Sequence, residues 1–141
     1  PPGPEVAAAL ADLAGRADRV LVDAPCSGTG TYRRKPDARY RITEAMLAQH
    51  VERQRMLLEQ FAPLVRPGGR LVYGTCSVLS EENEEVVAWF LERHPGFRAL
   101  PPSDRLGPEL GAKVTTGDFL RLSPAQHGTD GFFGAILLRE G

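Results

Sequence analysis

Only two of the 141 residues are cysteines, and each follows a run that reads as a strand: Cys26 in "VLVDAPCSGTG" (residues 20–30) and Cys76 in "VYGTCS" (residues 72–77). A deprotonated, oriented thiol is a nucleophile, so two thiols at comparable strand exits, with Asp23 just before the first, compose a candidate site for covalent catalysis. The ordinary fate of a free cysteine is burial as a small hydrophobe. The flanking residues argue for more. Pro25 removes a backbone donor and fixes the chain direction after Asp23, and Gly28 and Gly30 let the backbone approach a ligand closely. Other chemistries fit less well. A CxxC redox spacing is missing, and His50, His94 and His127 lie too scattered to complete a tetrahedral metal shell. "SGTG" lacks the lysine and spacing of a phosphate-binding loop. Nucleophilic catalysis by one thiol with the other assisting fits best, and the residues alone leave open which thiol attacks.

These side chains must be presented by particular elements. Val20, Leu21 and Val22 in unbroken succession predict a strand over residues 19–24 covered on both faces. Residues 43–65 carry an apolar stripe at helical spacing, including Met46, Leu47, Val51, Leu57, Leu58 and Phe61, with Thr43 as N-cap. "RPGG" at residues 66–69 stops that helix and turns the chain into a second strand over residues 70–76. Ser80 reads as the N-cap of a further helix, and "EENEE" reads as acids favoured by its positive end. "HPG" at residues 94–96 ends it. A short strand over residues 97–100, an irregular loop over 101–118 and a closing pair of strands over 119–122 and 132–139 follow. Residues 5–16 precede all of these as a short amphipathic helix. The alternation predicts an α/β fold with a mostly parallel sheet and an antiparallel strand near one edge. Ligands of open sheets bind beyond the carboxyl ends of the strands. If the two cysteine-bearing strands are neighbours, they lie about 5 Å apart and both thiols face one pocket with Asp23.

The length suits one domain with its own core. A hydrophobic content of 42% with 25% charged residues argues against disorder. The formal net charge of -1 excludes a global basic field for a polyanion, so any RNA contact rests on local patches. The strongest patch is "YRRKPDARYR" (residues 32–41), where arginines such as Arg33 and Arg34 suit phosphates and tyrosines suit unpaired bases. Two cysteines and no visible targeting segment point to free thiols in a reducing, cytoplasmic setting. The longest apolar runs are far short of a membrane span.

"DAPCSGTG", "RRKPD", "RQRMLLEQFAPLVRPGGRLVYGTCSVLSEENEEVV" and "TDGFF" together resemble the C-terminal half of the catalytic domain of the NOL1/NOP2/Sun family of RNA cytosine-5 methyltransferases, over about residues 19–139. The paired Pro-Cys and Thr-Cys signatures are far more specific than a lone glycine loop. The resemblance implies a Rossmann-like class I methyltransferase sheet and S-adenosylmethionine as methyl donor, with ribosomal or transfer RNA as substrate. It implies Cys76 as nucleophile, Cys26 as the residue that assists product release, and Asp23 beside both the base ring and the cofactor. Pro25, Arg33 and Arg34 become substrate contacts. The glycine-rich cofactor loop, its following lysine and the ribose-binding acid of that family have no counterpart in these residues. The chain therefore reads as the part of the domain that lacks the cofactor loop, with an apolar strand edge through which isolated copies would dimerise. The competing reading is a non-catalytic module that binds RNA or protein through its basic loop.

Overall fold

The computed structural model describes residues 8, 10–40 and 42–141. In chain order the elements are β1 (Ala17–Asp23), α1 (Glu44–Phe61), β2 (Val65–Thr75), α2 (Glu84–Arg93), β3 (Phe97–Leu100), α3 (Ser103–Leu106), α4 (Pro108–Val114), β4 (Thr115–Thr116), β5 (Phe119–Leu122), α5 (Pro124–His127) and β6 (Phe132–Arg139). The helix expected over residues 5–16 lies partly outside the described residues, and Leu10 to Asp12 within it are helical.

Local chemistry accounts for most boundaries. Thr43 caps α1 as expected, its hydroxyl accepting from the Met46 N–H at 3.2 Å. "RPGG" does not separate two elements. It lies inside β2 as an irregularity, because the partner of Ala17 is Val65 while that of Arg19 is Arg70, and Gly68 takes φ 73 to absorb the extra residues. Ser80 does not cap α2. Residues Ser80–Glu82 form a 3-10 turn, and the helix begins only at Glu84. The loop expected over residues 101–118 contains α3 and α4, each too short to leave a readable period. They pack so closely that a Cβ on Gly111 would stand 2.6 Å from Ser103 Cα.

The sheet order is β1-β2-β6-β5-β4, with β3 also paired to β6. β1 and β2 are parallel. β6 is antiparallel to β2, β3 and β5, so β1, β2, β3 and β5 all run one way. The α/β sheet is thus present as a mixed one: four strands run one way, but only β1 and β2 are paired in parallel. The reversed strand β6 is inserted between β2 and the pair β3/β5, one strand in from the edge that β3 forms, so the expected antiparallel strand near an edge is there. Its alternation sets which side faces the core: Phe133, Ala135 and Leu137 are buried together on one face.

That face carries the core. Val22, Leu71, Tyr73, Phe133, Ala135 and Leu137 from the strands cluster with Leu58 and Ala62 from the first helix and its exit, and with Val86, Val87 and Phe90 from α2. Burying each of the larger side chains contributes about 1.5–3 kcal/mol. The other face differs from the expectation that β1 is covered on both sides. Leu21 is 71% exposed, and with Val72, Phe132 and Ile136 it lines an apolar cavity of about 190 Å³ partly closed by Pro102 and Leu106. Among the described residues no helix is long and apolar enough to cross a membrane.

Candidate active site

Parallel pairing of β1 with β2 brings both cysteines to the same sheet edge. Asp23 is opposite Gly74, and the ladder continues one step further through Ala24 N–H to the Gly74 carbonyl at 2.9 Å. Cys26 and Cys76 leave these two strand ends with their sulfurs 3.2 Å apart, within hydrogen-bond distance, and both are free thiols. Burial, and then the adjoining Cys76 sulfur, push the Cys26 thiol from an ordinary 9.0 up to about 12. At neutral pH Cys26 therefore keeps its proton and can donate it toward Cys76.

Asp23 ends β1 at the same edge with an exposed side chain. No hydrogen bond or ion pair to the described residues engages its carboxylate. Pro25 is exposed, and its carbonyl accepts from Gln54 Nε2 at 3.1 Å, which ties the Cys26 loop to α1.

The loops are fixed from below by polar side chains that the sequence reading did not single out. Glu82, fully buried, accepts through Oε1 from the Ser27 N–H at 2.8 Å and from Gln54 Nε2 at 3.1 Å. Its Oε2 accepts from the Ser27 hydroxyl. Its backbone carbonyl accepts from the Tyr73 hydroxyl at 2.6 Å. Burial and the nearby Glu82 charge raise the Tyr73 hydroxyl well above its ordinary range, so it remains a donor. Asn83, also fully buried, accepts from Thr75 Oγ1 at 2.6 Å and donates to the Ser77 carbonyl at 2.9 Å. The acids of "EENEE" are therefore not all helix-start electrostatics: Glu82 precedes α2 and points into the site. Nothing in the sequence separates Glu82 from Glu81. The only signal was the nearness of the run to the second cysteine loop.

Backbone contacts lace a third loop onto the first two. Gly30 N–H donates to the Cys76 carbonyl at 2.9 Å, and Gly131 N–H donates to the Gly30 carbonyl at 2.8 Å. A Cβ at Gly30 would meet the Gly131 carbonyl and stand 2.8 Å from the Cys76 carbonyl, so the absence of a side chain there permits the three-loop junction. This is the place of "TDGFF". Asp130 within it pairs with Arg34 and lies 4.0 Å from Arg33, whose Nη1 also donates to the Gly128 carbonyl at 3.1 Å. Both arginines remain more than half exposed, but part of their charge is directed at the protein itself.

The family model described as 16S rRNA methyltransferase RsmB/F matches residues 6–138. The "Probable ribosomal RNA small subunit methyltransferase B" of Bacillus subtilis is 41% identical over 124 residues, which is 88% of this chain and 28% of that protein. "Ribosomal RNA small subunit methyltransferase B" of Thermus thermophilus is 42% identical over 127 residues, 88% of this chain and 30% of that protein. Among solved structures, NSun6 from Pyrococcus horikoshii with SFG superposes with a TM-score of 0.74 at 32% identity, over 96% of this chain and 33% of that one. The chain thus spans about a third or less of the length of each of these three relatives. With its Rossmann-like arrangement and its paired cysteine loops, the chain belongs to the RsmB/F (Sun) family of rRNA methyltransferases.

Proposed function

We propose that this chain carries the nucleophile and the release residue of an S-adenosylmethionine-dependent enzyme that methylates carbon 5 of cytosine in ribosomal RNA. The observation that carries the reading is the 3.2 Å approach of two free thiols at one carboxyl edge of the sheet, beside an unengaged carboxylate. Carbon 5 of cytosine is a weak nucleophile within its aromatic ring. Addition of the Cys76 thiolate to carbon 6 forms an S–C6 bond and shifts the ring electrons toward carbon 5, while Asp23 supports the ring nitrogen 3 that takes up charge or a proton. When bound, S-adenosylmethionine supplies an electrophilic methyl group. After carbon 5 is methylated its hydrogen leaves as a proton to a base, the 5,6 double bond re-forms, and the S–C6 bond breaks. Cys26, which holds its proton, donates to the departing Cys76 sulfur and eases that last step.

The fit to the cofactor is partial. Among the described residues, Asp23, exposed at the end of the sheet's terminal strand, is the one assigned to touch it. The glycine-rich loop that would hold the rest belongs to the part of the domain outside these residues. SFG, an S-adenosylmethionine analogue, in the structure of NSun6 supports the same cofactor. Arg33, Arg34 and Pro25 stand as RNA contacts at the rim of the site. The activity belongs to the complete protein, working on RNA in the cytoplasm.

The reading is tested in the complete protein with cofactor and substrate RNA. Methyl transfer is expected to vanish in Cys76→Ala. Cys26→Ala is expected to accumulate a covalent complex with ordinary cytosine RNA, because attack proceeds while release stalls. Undiminished methyl transfer by Cys76→Ala would sink the proposal. A Cys26→Ala protein that turns over without any such complex would remove Cys26 from the release step.

A further inference from the structure

Glu82 and Asn83, two consecutive and fully buried residues, hold the neighbours of both cysteines. Glu82 takes the N–H and the hydroxyl of Ser27, which follows Cys26, and it also takes the amide of Gln54, whose same nitrogen grips the carbonyl of Pro25, which precedes Cys26. Asn83 accepts from the hydroxyl of Thr75 and donates to the carbonyl of Ser77, the residues on either side of Cys76. Hydroxyls bridge the two halves: Ser27 Oγ and Ser77 Oγ are 3.3 Å apart, and Thr29 Oγ1 is 3.0 Å from Ser77 Oγ. A carboxylate withdrawn from water is costly unless several donors compensate it, and here three donors converge on one. That expense is hard to justify by packing alone, since an apolar side chain of the same size would fill the space.

We propose that Glu82 is a positioning residue, which clamps the Cys26 loop by accepting hydrogen bonds so that the Cys26 thiol is held against Cys76. Asn83 fixes the other half of the pair. The consequence for product release rests on the function proposed above; the thiol geometry does not.

The first test therefore reads the thiols and needs no RNA. The azo oxidant diamide converts two apposed thiols into a disulfide, taking two electrons and two protons and becoming the hydrazine, and its rate reports how well the sulfurs are placed. The 141-residue chain is expected to form a Cys26–Cys76 disulfide, identified by peptide mapping. Glu82→Met fills the space without accepting and should slow it about tenfold or more. Glu82→Gln, which keeps an oxygen toward Ser27 N–H and Gln54, should recover most of the rate. A purely space-filling role would leave the Met variant as fast as the parent, and that result in a folded protein would overturn the inference. A Gln variant as slow as the Met variant would overturn it as a hydrogen-bond clamp. If Glu82→Met does not fold, Ser27→Ala decides: slower oxidation is expected, and an unchanged rate overturns the clamp.

The second test reads the reaction in the complete protein. Glu82→Met should accumulate the covalent RNA complex as Cys26→Ala does, with attack retained and release slowed. General destabilisation would lower both steps together, and that pattern would count against a positioning role. Slowed oxidation in a protein whose parent never forms an RNA adduct would leave the clamp standing and reject the proposed function.

Discussion

At the scale of single residues, the surroundings of Cys26 set its protonation. Cys26 is pushed up to about 12 by burial and by the neighbouring sulfur, so its thiolate is scarce at neutral pH. Iodoacetamide at pH 8 is expected to modify Cys26 at least about tenfold more slowly than a free cysteine, as resolved by peptide mapping. The same shift has a sign for stability. Because the folded value lies above the ordinary 9.0, the contribution is fully present below pH 9 and is lost as pH rises toward 12. Cys26→Ala should therefore flatten part of the alkaline decline in stability, measured by urea unfolding across that range. The cysteines, Asp23 and Pro25 were legible in the sequence because rare or constraining residue types stand at strand ends. Glu82 was not, since its neighbours Glu81 and Glu85 have the same chemistry, and only the path of the chain into a 3-10 turn buries one of them.

At the scale of elements, the site is a junction of three loops that tolerates no side chain at Gly30. Gly30→Ala forces the loop carrying Cys76 away from the one carrying Cys26. It is expected to cost about 1–3 kcal/mol in denaturant unfolding. A variant with unchanged stability would mean the junction is looser than its geometry indicates. Tyr73→Phe removes the hydroxyl that supports the Glu82 carbonyl and should cost about 1 kcal/mol by the same measurement. The strands and long helix were readable from their apolar pattern, which burial sets in the stripe of α1, whereas the unbroken run of β1 is covered on one face only. The short helices α3 and α4 were not, since elements of 4 and 7 residues do not complete a readable period. "RPGG" was misread for another reason. Pro-Gly pairs signal a change of direction, and a strand irregularity meets that need as well as a turn does.

At the scale of the whole molecule, the sheet has one well-covered face and one that is partly bare. Leu21, on the terminal strand β1, joins Phe132 at 38% exposure on the bare side. An apolar surface beside an unpaired strand edge favours association of chains. Light scattering of the 141-residue chain is expected to show self-association that Leu21→Lys reduces, with stability changed by no more than about 0.5 kcal/mol. The place of β6 inside the sheet belongs to this scale too. Alternation told that residues 132–139 form a strand, but neither its period nor its neighbours in sequence could tell that it inserts between β2 and β3/β5. Titration of S-adenosylmethionine into this chain should give no heat, because among the described residues Asp23 is the one proposed cofactor contact.

The central claim is that Cys76 attacks cytosine, and it is tested most directly by trapping. RNA carrying 5-fluorocytosine at the target position cannot lose a proton from carbon 5, so the adduct persists once formed. Incubated with the complete protein and S-adenosylmethionine, it should leave a nucleotide bonded to the peptide that contains Cys76. A nucleotide bonded to Cys26 instead, or no covalent complex under conditions where ordinary RNA is methylated, would contradict the account.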